Sequence, residues 1–256
     1  MSTFRLIWMG WLFQFKQMRR SSFDSFLAIL WPLFFATVAF FMFRQGGDPE
    51  ALIYAGLGAA VMGIWTATSV AAGSALQRER WYGTLEILVA APAHFSLVLL
   101  PIGLATATIG LYCMTTTLVF GWLVFGIDLR FEDPIAFVLA VPATLLSIGA
   151  LGFLIAVAFA RYRNAWALGA MSEYPVWLIC GFLVPIALLP DWARPISWLL
   201  APTWGMSAIR AAANGGSPWA EIGMCFLLGG AYVAVGVLLT NTVLRAARAR
   251  ASLSLT

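Results

Sequence analysis

Lysine occurs once in the 256 residues, as Lys16, and histidine once, as His94. No glycine-rich loop precedes Lys16, so the phosphate-cradling G-x-x-x-x-G-K-[ST] element cannot exist here and the chain carries no P-loop ATPase of its own. Cysteine occurs three times, as Cys113, Cys180 and Cys225, each in a separate apolar run. That argues against a metal cluster with His94 and against a disulfide framework. Charge is scarce as well: 10% of residues are Asp, Glu, Lys or Arg, against about 25% in soluble domains. In their place stand 62% apolar residues, with twelve Trp and nineteen Phe, and a mean hydropathy of +0.89. A water-soluble enzyme or nucleic-acid module is excluded, and the net charge of +4 is explained by basic residues flanking apolar spans.

A hydrocarbon core of about 30 Å needs roughly 20 apolar residues in helical form. Six stretches qualify: 25–43, 51–76, 95–127, 134–160, 165–189 and 222–244, with Pro101 and Pro142 inside the third and fourth. The chain therefore reads as one all-α, polytopic membrane domain over 1–256. Residues 1–22 mix Phe4, Trp8, Trp11, Leu12 and Phe15 with Arg5, Lys16 and Arg19, a pattern suited to a helix lying in the membrane interface. Gln14, Lys16 and Gln17 interrupt its apolar run, so it reads as a retained helix rather than a cleaved signal.

Orientation follows from Lys and Arg, which cytoplasmic loops keep and exported loops shed. With both termini inside, the inner side holds Arg5, Lys16, Arg19, Arg20, Arg78, Arg80, Arg161, Arg163, Arg245, Arg248 and Arg250. The outer side holds only Arg44, Arg130, Arg194 and Arg210. The outer segment 190–218 carries Pro190, Pro195 and Pro202, with Trp192, Trp198 and Trp204 at six-residue intervals. It is expected to form short broken helices that re-enter the boundary, since irregular backbone is tolerated at membrane depth only where protein or water satisfies it.

The inner loop 77–94 reads as a short helix held between two spans. Gly83 frees the backbone to turn, Glu86 falls in a first turn where a carboxylate is favoured, and Pro92 ends the helix. Leu85 and Leu88 make an apolar edge suited to a cytoplasmic partner or to lipid. Glu173 is the one acid well inside a span, where a charge costs about 2.5–3.5 kcal/mol on insertion scales. Three roles stand open for it: contact with a cationic substrate, a structural hydrogen bond to a neighbouring span while protonated, or a place beside a hydrated cavity. Pro101, Pro142, Pro175 and Pro185 each remove an internal hydrogen bond, and read either as plain curvature or as places where spans can kink. His94 reads as a surface residue at the inner interface, and Asp24 as an ion-pair partner of Arg19 and Arg20. Gly152, Ala156 and Ala160 suit close helix contact inside one protomer.

The series Glu79, Gly83, Thr84, Glu86, Leu88 and Pro92 resembles the cytoplasmic loop of the membrane subunits of type 2 ABC exporters, E-x-x-x-G-T-x-E-x-L-x-x-x-P. A second likeness runs from Gly181-Phe182-Leu183-Val184-Pro185 through Leu189-Pro190-Asp191-Trp192, Pro195-Ile196-Ser197 and Pro202-Thr203 to Ala208-Ile209-Arg210. It is similar to that family's outer stretch between the fifth and sixth spans. The resemblance implies a permease that dimerises, with an identical or paralogous copy, on two copies of a separate ABC ATPase. ATP and Mg would bind that partner, and no cofactor this chain. It also implies that Glu79, Gly83, Thr84, Leu85, Glu86, Leu88 and Pro92 form a coupling helix docked on the ATPase. Pro185, Pro190, Trp192 and Pro202 would belong to an outer gate over a path lined by the first, second and fifth spans; Glu173, from its place in the fifth span, is a candidate pathway residue. Trp81 and Tyr82 depart from the family pattern, in which polar residues are common there. The implied location is the bacterial inner membrane, and the implied activity is outward transport of an amphiphilic, drug-like, lipid or glycan substrate.

Two other classes fit less well. An intramembrane serine protease needs Ser and His at matching depth, and no span carries G-x-S-x-G. A secondary transporter driven by an ion gradient calls for inverted repeats and several intramembrane ionisable groups, and no such repeat is evident.

Overall fold

The computed structural model describes residues 3–20, 30, 33–34, 36–38, 40–42, 49–81, 83, 96–127, 131–159 and 165–250. Regular structure among them is helical throughout. In chain order the helices are α1 (Thr3–Arg20), α2 (Pro49–Trp81), α3 (Ser96–Phe125), α4 (Pro134–Phe159) and α5 (Ala165–Ile179). A 3-10 turn (Ile186–Leu188) follows, then α6 (Arg194–Trp198), α7 (Ala201–Ala213) and α8 (Trp219–Arg250). Among the described residues, four helices are long and apolar enough to cross a membrane, over Leu52–Ser69, Leu99–Phe125, Pro134–Ala158 and Trp219–Thr240.

Helix α2 is the axis of the bundle. Every residue from Ala55 to Trp65 is buried, and a helix apolar on all sides needs neighbours on all sides. It packs against α3, α4, α5 and α7. The described residues between Leu30 and Met42 are helical, and Ala36 and Phe40 from this stretch close another side against Ala55, Ala59 and Ile127. Lipid tails are as apolar as leucine, so helices associate in a membrane by close packing rather than by escape from water, and small residues set the crossing points. Helices α3 and α4 cross where Gly103 meets the Gly149 backbone, and Gly152 of α4 lies against Thr68 of α2. Gly152 and Ala156 thus pack inside the chain, as expected; Ala160 lies outside the described residues.

The N-terminal helix is docked. Trp11 Nε1 donates to Thr108 Oγ1 of α3 at 3.1 Å, and Gly10 sits against the ring of Pro101. Phe4, Trp8, Met9 and Phe13 remain exposed on its other side.

The fifth segment differs from expectation. Its apolar run continues to Leu189, but the helix ends at Ile179, after 15 residues. Gly181 takes φ 79°, the left-handed turn that closes a helix and that only glycine adopts freely. Pro185 then lacks the N–H needed to resume it, and sits ahead of the 3-10 turn instead of kinking a span. The described helix covers roughly 22 Å at 1.5 Å per residue, and from Cys180 to Pro185 the backbone is non-helical.

Candidate functional site

Helix α2 begins where α5 ends, and α4 begins where α7 ends, on one face of the bundle; from this face the broken segment reaches inward, and its α6–α7 break lies against Tyr232, well inside α8. A broken helix leaves the last carbonyls of one piece and the first N–H groups of the next without partners, a cost that membrane depth magnifies. Particular side chains meet that need here. Where α6 stops and α7 starts, the Tyr232 hydroxyl from α8 donates to Leu199 O at 2.6 Å and accepts from Ala201 N at 3.0 Å. Thr203 Oγ1 donates to Ser197 O at 2.7 Å, and Trp204 Nε1 to Trp198 O at 2.9 Å. At the far end of α7, Glu132 N and Asp133 N donate to Ala213 O and Ala212 O, and Asp133 Oδ1 caps α4 by accepting from Ala136 N at 3.0 Å.

The end of α5 is held by Arg210 of α7. Its Nη1 donates to Gly181 O at 2.6 Å and its Nη2 to Phe182 O at 2.9 Å, with a longer contact of 3.4 Å to Tyr54 O of α2. The guanidinium lies 3.3 Å over the Tyr54 ring, and the Tyr54 hydroxyl donates to the same Gly181 carbonyl at 3.2 Å. Gly58, one turn further along α2, lets the Phe182 carbonyl in: a Cβ there would collide with that oxygen. A cation at the negative end of a helix is favoured, and the planar fork of arginine can serve two carbonyls at once. Helix α7 contains no acidic residue, so these carbonyls take the place of a counter-ion.

The residues expected to matter are dispersed. Glu173 Oε1 accepts from Thr66 Oγ1 of α2 at 2.5 Å, and the carboxylate is half-buried. Of the expected gate residues, Pro185, Pro190 and Trp192 are exposed, whereas Pro202 is buried in the first turn of α7. Arg194 pairs with Asp191 at 3.1 Å on the surface, where such a pair contributes little. Gly83 has φ 67° in an exposed turn, the conformation its freedom was expected to serve. Thr84, Leu85, Glu86, Leu88 and Pro92, the Glu79 side chain, His94, Asp24 and the Arg161–Arg163 turn lie outside the described residues. Sequence reasoning placed Arg210 among loop charges and passed over Tyr54, Gly58 and Tyr232. The available signal was an arginine in the apolar run Met206–Ala213 with no carboxylate in reach along its helix.

The chain is similar, over residues 5–213, to a family model described as ABC-2 type transporter. No curated protein matches it.

Proposed function

This chain belongs to the ABC-2 type transporter family, a multi-pass membrane component of ABC transporters and not itself an enzyme, and on that premise we propose that it is the permease of an ATP-driven exporter. The observation that carries the reading is the family match across most of the chain, joined to helices apolar enough to span a membrane. An ABC ATPase is the partner the family implies in general. In the finer reading two copies of that ATPase, holding ATP and Mg, serve a pair of permeases, identical or paralogous, in a bacterial inner membrane. Six spans are proposed with both termini cytoplasmic, on the strength of the arginine distribution; the face from which the broken segment reaches inward is then the outer one. The loop 77–94 is proposed as the coupling helix, with Leu85 and Leu88 as its apolar edge and Glu79, Gly83, Thr84, Glu86 and Pro92 setting its ends and contacts.

A substrate moves outward only if nucleotide binding favours one arrangement of spans over another, so the coupling helix must bear differently on the ATPase in its two states. Apolar and aromatic walls favour an amphiphilic, drug-like, lipid or glycan cargo. The hydrogen bond from Thr66 supports a structural role for Glu173 at the edge of the path, and Pro185, Pro190, Trp192 and Pro202 are proposed to shape the exit.

Purification from the native host in a gentle detergent tests the core of this reading. A P-loop ATPase is expected to co-purify with wild type and to be lost or uncoupled in Glu86→Ala combined with Leu88→Ala. Wild type that yields no ATPase in several detergents contradicts the permease reading and turns attention to ion-driven transport.

A further inference from the structure

Among the described elements, helix α5 packs along α2 and touches α4 and α6 only lightly. Its far end, Gly181–Phe182, has no helix to continue into: the side chains of Cys180 and Phe182 are buried in the core, while the carbonyls of Gly181 and Phe182 are held by one side chain, Arg210, over the ring of Tyr54. Both residues are half-buried, at the margin of the core rather than in it. The contact is made to backbone carbonyls and not to a carboxylate, so it can be released without stranding an opposite charge in the membrane. Gly58 removes the one Cβ that would keep the carbonyl and α2 apart.

From this geometry we propose that Arg210 is the positioning residue of the exit gate: it clasps the end of α5 to α2 and α7, and the seam between these helices opens when the guanidinium leaves the Gly181 and Phe182 carbonyls. The clasp rests on the exporter reading for its direction, since the seam is an exit only if this face is the outer one. Its chemistry is specific to arginine. A lysine ammonium keeps the charge but cannot reach both carbonyls from one plane or stack flat on Tyr54.

The chain contains its own reporters. Cys180, next to Gly181, is fully buried; Cys225 of α8 is buried in the same core cluster, and Cys113 is buried elsewhere, in α3. In purified protein in nanodiscs, the rate at which a charged methanethiosulfonate reagent modifies Cys180 and Cys113 reads the seam and the rest of the fold separately. Arg210→Lys is expected to speed modification of Cys180 by at least about tenfold, the loss of one charge-assisted hydrogen bond, while Cys113 keeps its wild-type rate. Tyr54→Phe, which retains the ring under the guanidinium and removes only the hydroxyl bond to Gly181, is expected to give a smaller rise in the same place. It serves if Arg210→Lys does not fold. In the wild-type complex with its ATPase, trapping the ADP–vanadate state, which mimics the transition state of hydrolysis, is expected to raise Cys180 modification in the same way. Cys113 speeding up along with Cys180 would mean general loosening and overturn the clasp. So would a Cys180 rate that ignores both the variants and the nucleotide while ATP is being hydrolysed. The variant comparison needs only the permease, so absence of a co-purifying ATPase would sink the exporter reading and leave the clasp to be judged on Arg210→Lys alone.

Discussion

At Glu173 the membrane interior meets a carboxylate with the Thr66 hydroxyl, whereas at Arg210 it meets a guanidinium with three backbone carbonyls. The first arrangement is sparse and the second dense, and substitutions should register the difference. Thr66→Val removes the donor seen on Glu173 and is expected to lower stability by about 1–3 kcal/mol. Glu173→Gln keeps an oxygen for Thr66 and should stay within about 0.5 kcal/mol of wild type. Both are measurable by unfolding titration in mixed micelles, and a Gln variant as damaged as the Val one would mean that the charge itself is needed. Gly58→Ala forces a methyl group against the Phe182 carbonyl. It should cost about 1–3 kcal/mol, the usual range for overpacking, although the residue gained is a better helix former. A neutral Gly58→Ala would show that α2 and the end of α5 are not held at this separation.

Among the elements, the break between α6 and α7 is the one most dependent on a single distant side chain. Tyr232→Phe leaves Leu199 O and Ala201 N without their shared partner, and is expected to cost about 1–3 kcal/mol, with faster hydrogen exchange at 199–203 than elsewhere. Exchange that rises uniformly, or not at all, would contradict this. These same elements show how far sequence reasoning reaches. Long apolar runs betray α3, α4 and α8 because membrane helices must be both apolar and long, and the Pro- and Trp-rich stretch after Leu189 announced broken helices. The end of α5 was hidden because hydropathy does not change at Ile179; only backbone geometry at Gly181 does. Tyr232 was invisible because its partners are main-chain atoms some thirty residues away, and no local pattern encodes a gap in another helix. Arg210 was visible as a residue but misread as a loop charge, because charge counting cannot distinguish an arginine facing water from one on carbonyls.

For the whole molecule, the arginine asymmetry makes a topological statement that stands apart from any side-chain contact. A C-terminal fusion to green fluorescent protein should fluoresce in cells, and the equivalent alkaline phosphatase fusion should be inactive; the reverse pair of results would invert the orientation. The length of α2 then acquires a mechanical meaning. From Tyr54 at the clasp to Trp81 at its far end is about 40 Å of helix, and no proline follows Pro49 within it. Treated as a rod pivoting at Tyr54, it converts a tilt of about 5° into a sideways excursion of about 3.5 Å at the tip, close to two residues of helical rise. On the exporter reading, a seam that gives by a fraction of an ångström beside the pivot would coincide with a displacement several times larger where the chain reaches Gly83, so a rigid α2 would act as a lever with its short arm at the break.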